Sequence, residues 1–331
     1  MRRVRFTAVT VLLIAIAAVV VLASLVSSGN FLSASTLSAL TPLLAIMVVV
    51  SLGQGIVIGT GGIDLSLPAT MTLAGTIVLK MSGAEPDRLI TAIVVALLCC
   101  ALVGVLNGVL IEVFGLNALV VTLAVGLLVG GLTRLYRGPV LAITSVPDLL
   151  QTWARANVAG FSVLLVLAFA GVALLSFLVR RSVRGRRLVA SSAAPRAAFL
   201  MGLWSSSYRV LAFAVAGFLY GVGAIMLAGL LGSPDLTLGN AYLLEPIVAV
   251  VLGGAALSGG RVSFLATALG ALFITLLDFE LKVAGYGSGV SLVVQGLVLA
   301  IGLSAINLAR RRAASSTGGQ RRPAPQALGV T

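Results

Sequence analysis

Apolar residues run unbroken along most of this chain, with neither the two-residue alternation of a half-buried strand nor the one-sided stripe of a surface helix. The runs are roughly 17–22 residues long, the length a helix needs to cross about 30 Å of hydrocarbon. They predict ten membrane-spanning helices, over 7–27, 41–58, 65–81, 89–111, 117–136, 160–179, 209–231, 244–257, 262–278 and 289–308. A membrane barrel would instead alternate over segments of about ten residues. The first run is too long for the apolar core of a signal peptide and reads as a retained helix. The fold class expected is an all-α polytopic membrane protein.

One break in the pattern carries information. "GTGGIDLSLP", residues 59–68, sets Gly61, Gly62, Asp64, Ser66 and Pro68 between two strongly apolar segments. Irregular backbone at membrane depth is tolerated only inside protein or beside water. The glycines are expected to end one helix. Asp64 or Ser66 is expected to cap the next, with Pro68 in its first turn. Direct contact of Asp64 with a transported solute is the competing reading. The motif has an echo 171 residues later: Gly61-x-x-Asp64-Leu65-Ser66-Leu67 matches Gly232-x-x-Asp235-Leu236-Thr237-Leu238, and Asp235 or Thr237 is expected to cap in the same way. A weaker match, Leu119–Thr122 against Leu292–Gln295, lies at an offset of 173. Two halves of five helices each follow, about 7–155 and 160–308. Because five is odd, the second half must be inverted in the membrane. Transporters built this way carry their substrate path between the halves.

Composition agrees with the class. The 331 residues are 60% hydrophobic and 9% charged, against about 25% charged in a soluble domain. The net charge of +13 with no histidine would suggest nucleic acid in a soluble protein. In a membrane protein the basic residues instead mark the cytoplasmic side. With the N-terminus inside, sixteen of the 22 Lys and Arg are cytoplasmic; the six outside are Lys80, Arg88, Arg134, Arg137, Arg155 and Lys282. The expected topology is N-in and C-in. The longest cytoplasmic stretch, residues 180–209, carries seven arginines. It is expected to hold a short helix over 193–202, started by Pro195 and ended by Gly202. Residues 1–312 form one transmembrane domain, and 313–331 read as a disordered cytoplasmic tail. The adjacent Cys99 and Cys100 cannot easily bridge each other and offer no disulfide framework.

The motifs together resemble the permease subunits of ribose-type ABC importers, within the wider group of monosaccharide and branched-chain amino-acid permeases. The resemblance covers roughly 40–308. The family's "GGIDLS" stands at Gly61–Ser66, its "NG" at Asn107-Gly108, and its "TLG" at Thr122-Leu123 with Ala124 in place of glycine. Its "YELDAIAAVVIGG…GG" is matched by Tyr242, Leu244, Glu245, Ile247, Ala249, Val250, Val251, Gly253, Gly254 and Gly259-Gly260. Its cytoplasmic "A-x-G-x-N-P-x-A-A-x-x-x-G-I" is matched by Ala190, Pro195, Ala197-Ala198 and Gly202-Leu203. Departures are Leu67-Pro68, Ser192, Ala194 and Val262.

The resemblance implies a subunit of the bacterial inner membrane. A second permease chain, identical or related, would complete the pore. Cytoplasmic ATP-binding subunits would drive transport, and a periplasmic or lipid-anchored binding protein would deliver the solute. Arg186, Pro195, Ala197, Ala198, Gly202 and Leu203 would form the segment that couples to the ATPase. The chain itself carries no cofactor: the two lysines, Lys80 and Lys282, have no phosphate-binding motif around them, so Mg-ATP belongs to the partner. It is not expected to be an enzyme. No metal site is expected, and a catalytic triad is impossible without histidine. The lipid bilayer is a partner and nucleic acid is not. The alternative, an ion-coupled secondary transporter of a small neutral solute, would need ionisable groups in the membrane, and only Asp64, Glu112 and Asp278 could approach the path. Expected path residues are Gln54, Ser66, Thr70, Asn107, Thr122 and Gln295. They hydrogen-bond without a charge penalty, although each could equally join helices to one another. The scarcity of membrane-buried charge points to an uncharged solute such as a sugar or polyol.

Overall fold

A computed structural model describes residues 2–26, 31, 33–138, 145–193, 198, 200–201, 205–287, 289–302 and 304. The predicted tail lies outside them. In chain order the helices are α1 (Arg2–Val26), α2 (Ala34–Gly59), α3 (Leu67–Ser82), α4 (Pro86–Phe114), α5 (Ala118–Arg137), α6 (Asp148–Arg155), α7 (Leu164–Arg181), α8 (Val183–Ala193), α9 (Ser205–Leu231), α10 (Glu245–Leu252) and α11 (Phe264–Val283). An apolar helix, α12, follows over Gly289–Gly302. Among the described residues six helices (α2, α4, α5, α7, α9 and α11) are long and apolar enough to cross a membrane. The molecule is thus an all-helical polytopic membrane protein. Its one sheet among those residues is a two-stranded hairpin, Asn157–Val158 and Phe161–Ser162. Ala159 and Gly160 turn it with positive φ, as a two-residue hairpin loop requires.

Helix α2 is the centre. It is apolar all round, and 83% of its most apolar stretch is buried, against 22% for α7 at the periphery. A helix hydrophobic on every face needs neighbours on every face; α2 has α7, α9, α10 and α11. Ser33 caps its start, accepting from the Thr36 N–H. Helix α9 crosses it where Gly53 meets the Tyr220 ring and Gly223 meets Val50.

The tightest crossing joins α4 and α9. Lipid is as apolar as leucine, so helices in a bilayer associate by close packing over small residues. Gly104 and Gly108 are spaced by four on α4, and Gly217 and Gly221 by four on α9. A Cβ on Gly104 would overlap the Phe213 carbonyl oxygen, and one on Gly217 would overlap that of Cys100. A Cβ on Gly108 would lie 2.6 Å from Val210 Cα. The fourth-helix Asn107-Gly108 pair therefore sits inside a glycine seam that brings two backbones into contact.

The structure corrects one expectation. The span predicted over 244–257 is helical only from Glu245 to Leu252. Eight residues rise about 12 Å, well short of a membrane crossing. The run ends because Gly254, Gly259 and Gly260 take positive φ and turn the chain into a loop. In the basic stretch another helix precedes the predicted one. Helix α8 covers Val183–Ala193, and the Ser182 hydroxyl accepts from the Gly185 N–H at its start. Most of the predicted helix over 193–202 lies outside the described residues.

Candidate functional site

Helix α2 unwinds at Gly59, and Gly61 turns the chain at φ +87°. The Gly61 N–H donates to the Ile58 carbonyl and the Gly62 N–H to that of Val57. Across from this turn lies the loop after α10: the Gly260 N–H donates to the Gly59 carbonyl at 2.8 Å. A Cβ on Gly61 would sit 3.4 Å from the Ser258 carbonyl oxygen. A backbone hydrogen bond thus joins the two glycine-rich interruptions.

Beyond the turn, Asp64 is 2% exposed. Its Oδ1 accepts from the Ser66 N–H at 2.9 Å and the Ser66 hydroxyl at 2.6 Å. Ser66 stands at the N-cap position of α3, but its side chain makes no cap hydrogen bond, and Pro68 occupies the first turn. The expected Ser66 cap is therefore replaced by an Asp-x-Ser turn in which Asp64 binds the residue two ahead. The reason is the competition for one hydroxyl: Ser66 donates to Asp64 and accepts from Asn107 Nδ2 at 2.8 Å.

The echo folds the same way locally. The Thr237 N–H donates to Asp235 Oδ1 at 2.8 Å, and the Thr237 hydroxyl lies 2.8 and 2.9 Å from the two carboxylate oxygens. Neither residue caps α10, which begins eight residues after Thr237, so that expectation is also corrected. The segment instead packs onto α3. Leu238 and Pro234 lie against Gly75, and Gly239 lies against the Pro68 carbonyl. The Gly239 N–H donates to Thr72 Oγ1 at 3.2 Å. The second copy of the motif therefore packs on the helix that follows the first.

The six residues expected to line a path separate into three places. Ser66, Thr70, Asn107 and Thr122 gather around the first break. Thr122 Oγ1 donates to the Ala118 carbonyl at 2.8 Å and lies 3.2 Å from that of Ile63, while the Leu65 N–H donates to it at 3.0 Å. Thr70 Oγ1 donates to the Ser66 carbonyl. Gln54 stands apart, accepting from the Tyr220 hydroxyl at 2.8 Å. Gln295 stands apart again, donating to Glu245 Oε1 at 2.8 Å. All six are at most 4% exposed. The acids considered for ion coupling are likewise engaged: Glu112 pairs with Arg209 at 2.8 Å and Asp278 with Lys282 at 2.6 Å. Arg209 also donates to the Thr60 carbonyl at 3.1 Å, so one guanidinium fastens the ends of α2 and α4 to the start of α9.

A cavity of about 230 Å³ lies beside the paired motifs. Its walls come from Leu65 and the first turns of α3 (Pro68, Ala69, Thr72), from one face of α5 (Leu123, Gly126, Leu127, Gly130, Arg134), from Leu236 of the echo and from Asn240 just after it. None of the six expected path residues lines it. Arg134 and Asn240 carried no signal in the sequence beyond polarity next to an apolar run. Among the described residues no group of three or more His, Cys, Asp or Glu is arranged to hold a metal ion. In the cytoplasmic stretch, Arg186 donates to the Arg181 carbonyl and Ala198 is buried at 4%. Pro195, Ala197, Gly202 and Leu203 lie outside the described residues.

Comparison with known proteins places this architecture. The chain is similar to the ribose import permease protein RbsC of Bacillus subtilis (strain 168), 32% identical over 274 residues, 82% of this chain and 83% of the relative. It is 28% identical over 289 residues to RbsC of Escherichia coli (strain K12), 85% and 89% of the two chains. It is 33% identical over 256 residues to the autoinducer 2 import system permease protein LsrD of Yersinia enterocolitica, 76% and 77% of the two. No solved structure matches. The family of the branched-chain amino acid transport system permease component matches residues 36–303. The chain belongs to that family, and it is a permease subunit of an ATP-binding-cassette importer.

Proposed function

We propose that this permease carries a small, uncharged, polar solute of the sugar or polyol class across the bacterial inner membrane. An extracytoplasmic binding protein delivers the solute, a second permease chain completes the pore, and separate cytoplasmic subunits bind Mg-ATP. The observation that carries the reading is the doubled Asp-x-Ser/Thr turn, at Asp64–Ser66 and Asp235–Thr237, the second packed on the helix that follows the first, beside a cavity with polar side chains in its wall. The relatives, ribose and autoinducer 2 import permeases, support the solute class. The pairing of Glu112, Asp278 and Asp64 with neighbours leaves the ion-coupled alternative without a free carboxylate among those three.

On this reading residues 1–312 form one domain of ten membrane segments, the eighth made of α10 together with the irregular backbone on either side of it, with inverted halves over 7–155 and 160–308 and both termini in the cytoplasm. The short α10 is then the counterpart of α3, each following its copy of the turn. Ser66, Thr70, Asn107 and Thr122 hold the first turn in shape beside the path, and Gln54 and Gln295 join helices. The segment containing Arg186, Pro195, Ala197, Ala198, Gly202 and Leu203 docks on the ATPase, and 313–331 is a disordered tail.

Co-purification tests the assembly. A tagged permease expressed with the ATP-binding subunit of its own operon should retain that subunit. Ala197→Arg with Ala198→Arg should release it while leaving permease in the membrane. Retention by the double variant would contradict the docking role.

A further inference from the structure

We propose that the cavity between α3, α5 and the 236–240 segment is the water-filled chamber that receives the solute, and that Arg134 and Asn240 hold its hydroxyls. The inference rests on the sugar-type reading above for its ligand, but the chamber itself can be tested without it. Three observations converge. The cavity is bounded by both copies of the repeated motif, so it lies where the two halves of the permease meet. Its wall holds two polar side chains that the fold does not use: no hydrogen bond or ion pair engages the Arg134 guanidinium or the Asn240 amide among the described residues. Neighbouring cations, by contrast, are committed: Arg137 donates to the Pro234 carbonyl at 2.7 Å, and Lys80 donates to the Tyr136 carbonyl and lies over the Tyr136 ring. Arginine in a membrane-spanning helix is costly unless it faces water or a partner. Near the end of α5, exposed and in the wall of this cavity, Arg134 has water available.

The size and lining select the ligand. At about 230 Å³ the space falls below the ~300–1,000 Å³ of sites for drug-sized molecules and suits a single sugar ring. A guanidinium fork presents parallel N–H donors, which match two neighbouring hydroxyls, and an amide both donates and accepts. Leu65, Leu123, Leu127 and Leu236 supply apolar surface for the ring C–H faces. The larger groove, about 450 Å³, is lined by Leu89, Ile93, Leu149, Trp153, Leu167, Met226 and other apolar side chains and offers a polyol nothing.

The test uses the complete transporter, with its ATP-binding subunits and binding protein, in proteoliposomes. In Ala69→Cys and Arg134→Cys a charged, membrane-impermeant thiosulfonate should react at least ten-fold faster than in Leu98→Cys, which is exposed on α4 outside this cavity, or in the parent with Cys99 and Cys100. Each variant is compared at equal yield of assembled complex. Reaction no faster than at Leu98 would mean a lipid-filled or closed space and overturns the chamber. With [14C]ribose as probe, Arg134→Gln and Asn240→Ala should each lower kcat/KM of uptake about ten-fold, mostly through KM, and Arg134→Lys should recover part. Reactive cysteines with undiminished uptake in both variants would overturn the assignment of Arg134 and Asn240. A parent complex that takes up no pentose or hexose would overturn the sugar ligand, and with it the role of the two side chains, while the cysteine reactions still decide the chamber.

Discussion

Asp64 is a buried carboxylate that spends its Oδ1 on one residue, Ser66. The geometry asks for an acceptor at that point rather than for a charge. Asp64→Asn keeps a carbonyl oxygen there and should lower the stability of the purified permease only slightly. Asp64→Ala strands the Ser66 N–H and hydroxyl and should cost about 1–3 kcal/mol, read as a drop in the thermal midpoint in detergent. A larger loss in the Asn variant than in the Ala variant would argue for a role of the charge. Arg209 is a sharper case, because one side chain satisfies both Glu112 and the Thr60 carbonyl. Arg209→Ala should destabilise by roughly 3 kcal/mol, the lower end for stripping the partner from a buried carboxylate. Arg209→Lys should restore less than half, since a single ammonium lacks the fork. The thermal midpoint of the two variants checks both. At this scale the sequence made Asp64, Ser66 and Asn107 visible, because glycine, aspartate and amide stand out in apolar runs. It could not show that Ser66 serves two partners at once, which depends on α4 passing beside the break.

Helices α4 and α9 illustrate what is legible at the level of elements. Their apolar runs announced two spans, and both are present. Their mutual contact was not announced, because glycines 104, 108, 217 and 221 look like four among the 38 of the chain. Only the crossing reveals that a Cβ at Gly104 or Gly217 collides with a backbone carbonyl. Gly104→Val and Gly217→Val should therefore lose the folded protein or destabilise it by more than the usual ~1–3 kcal/mol of overpacking. Gly131→Ala, with nothing within 4 Å of the added carbon, should be neutral or gain up to about 1 kcal/mol. Size-exclusion profiles and thermal midpoints of the three variants distinguish them. Helix α10 was misjudged for a different reason. Its apolar composition continues past Leu252, and hydropathy does not register that Gly254, Gly259 and Gly260 have taken positive φ. Helix α8 was not announced, because its start is marked by the hydroxyl of Ser182 alone.

For the molecule as a whole, the class was legible from composition and run length alone, and the shared local turn of the two motifs from five positions matched in register. The cavity was not. Its wall is assembled from three segments far apart in the chain, and its polar members are polar for no local reason. The topology proposed here makes a whole-molecule prediction: alkaline phosphatase fused after Arg312 should be inactive and a cytoplasmic reporter at the same point active. The central claim is that ATP, spent by a partner, moves a sugar-type solute through this chain. The most direct measurement is uptake of [14C]ribose and a panel of other pentoses and hexoses into proteoliposomes holding the permease, its ATP-binding subunit and its binding protein. Accumulation of at least one sugar that requires internal or external Mg-ATP on the side of the ATPase, and that survives dissipation of proton and sodium gradients, is the predicted result. Uptake that proceeds without ATP and collapses with an ionophore would contradict the account.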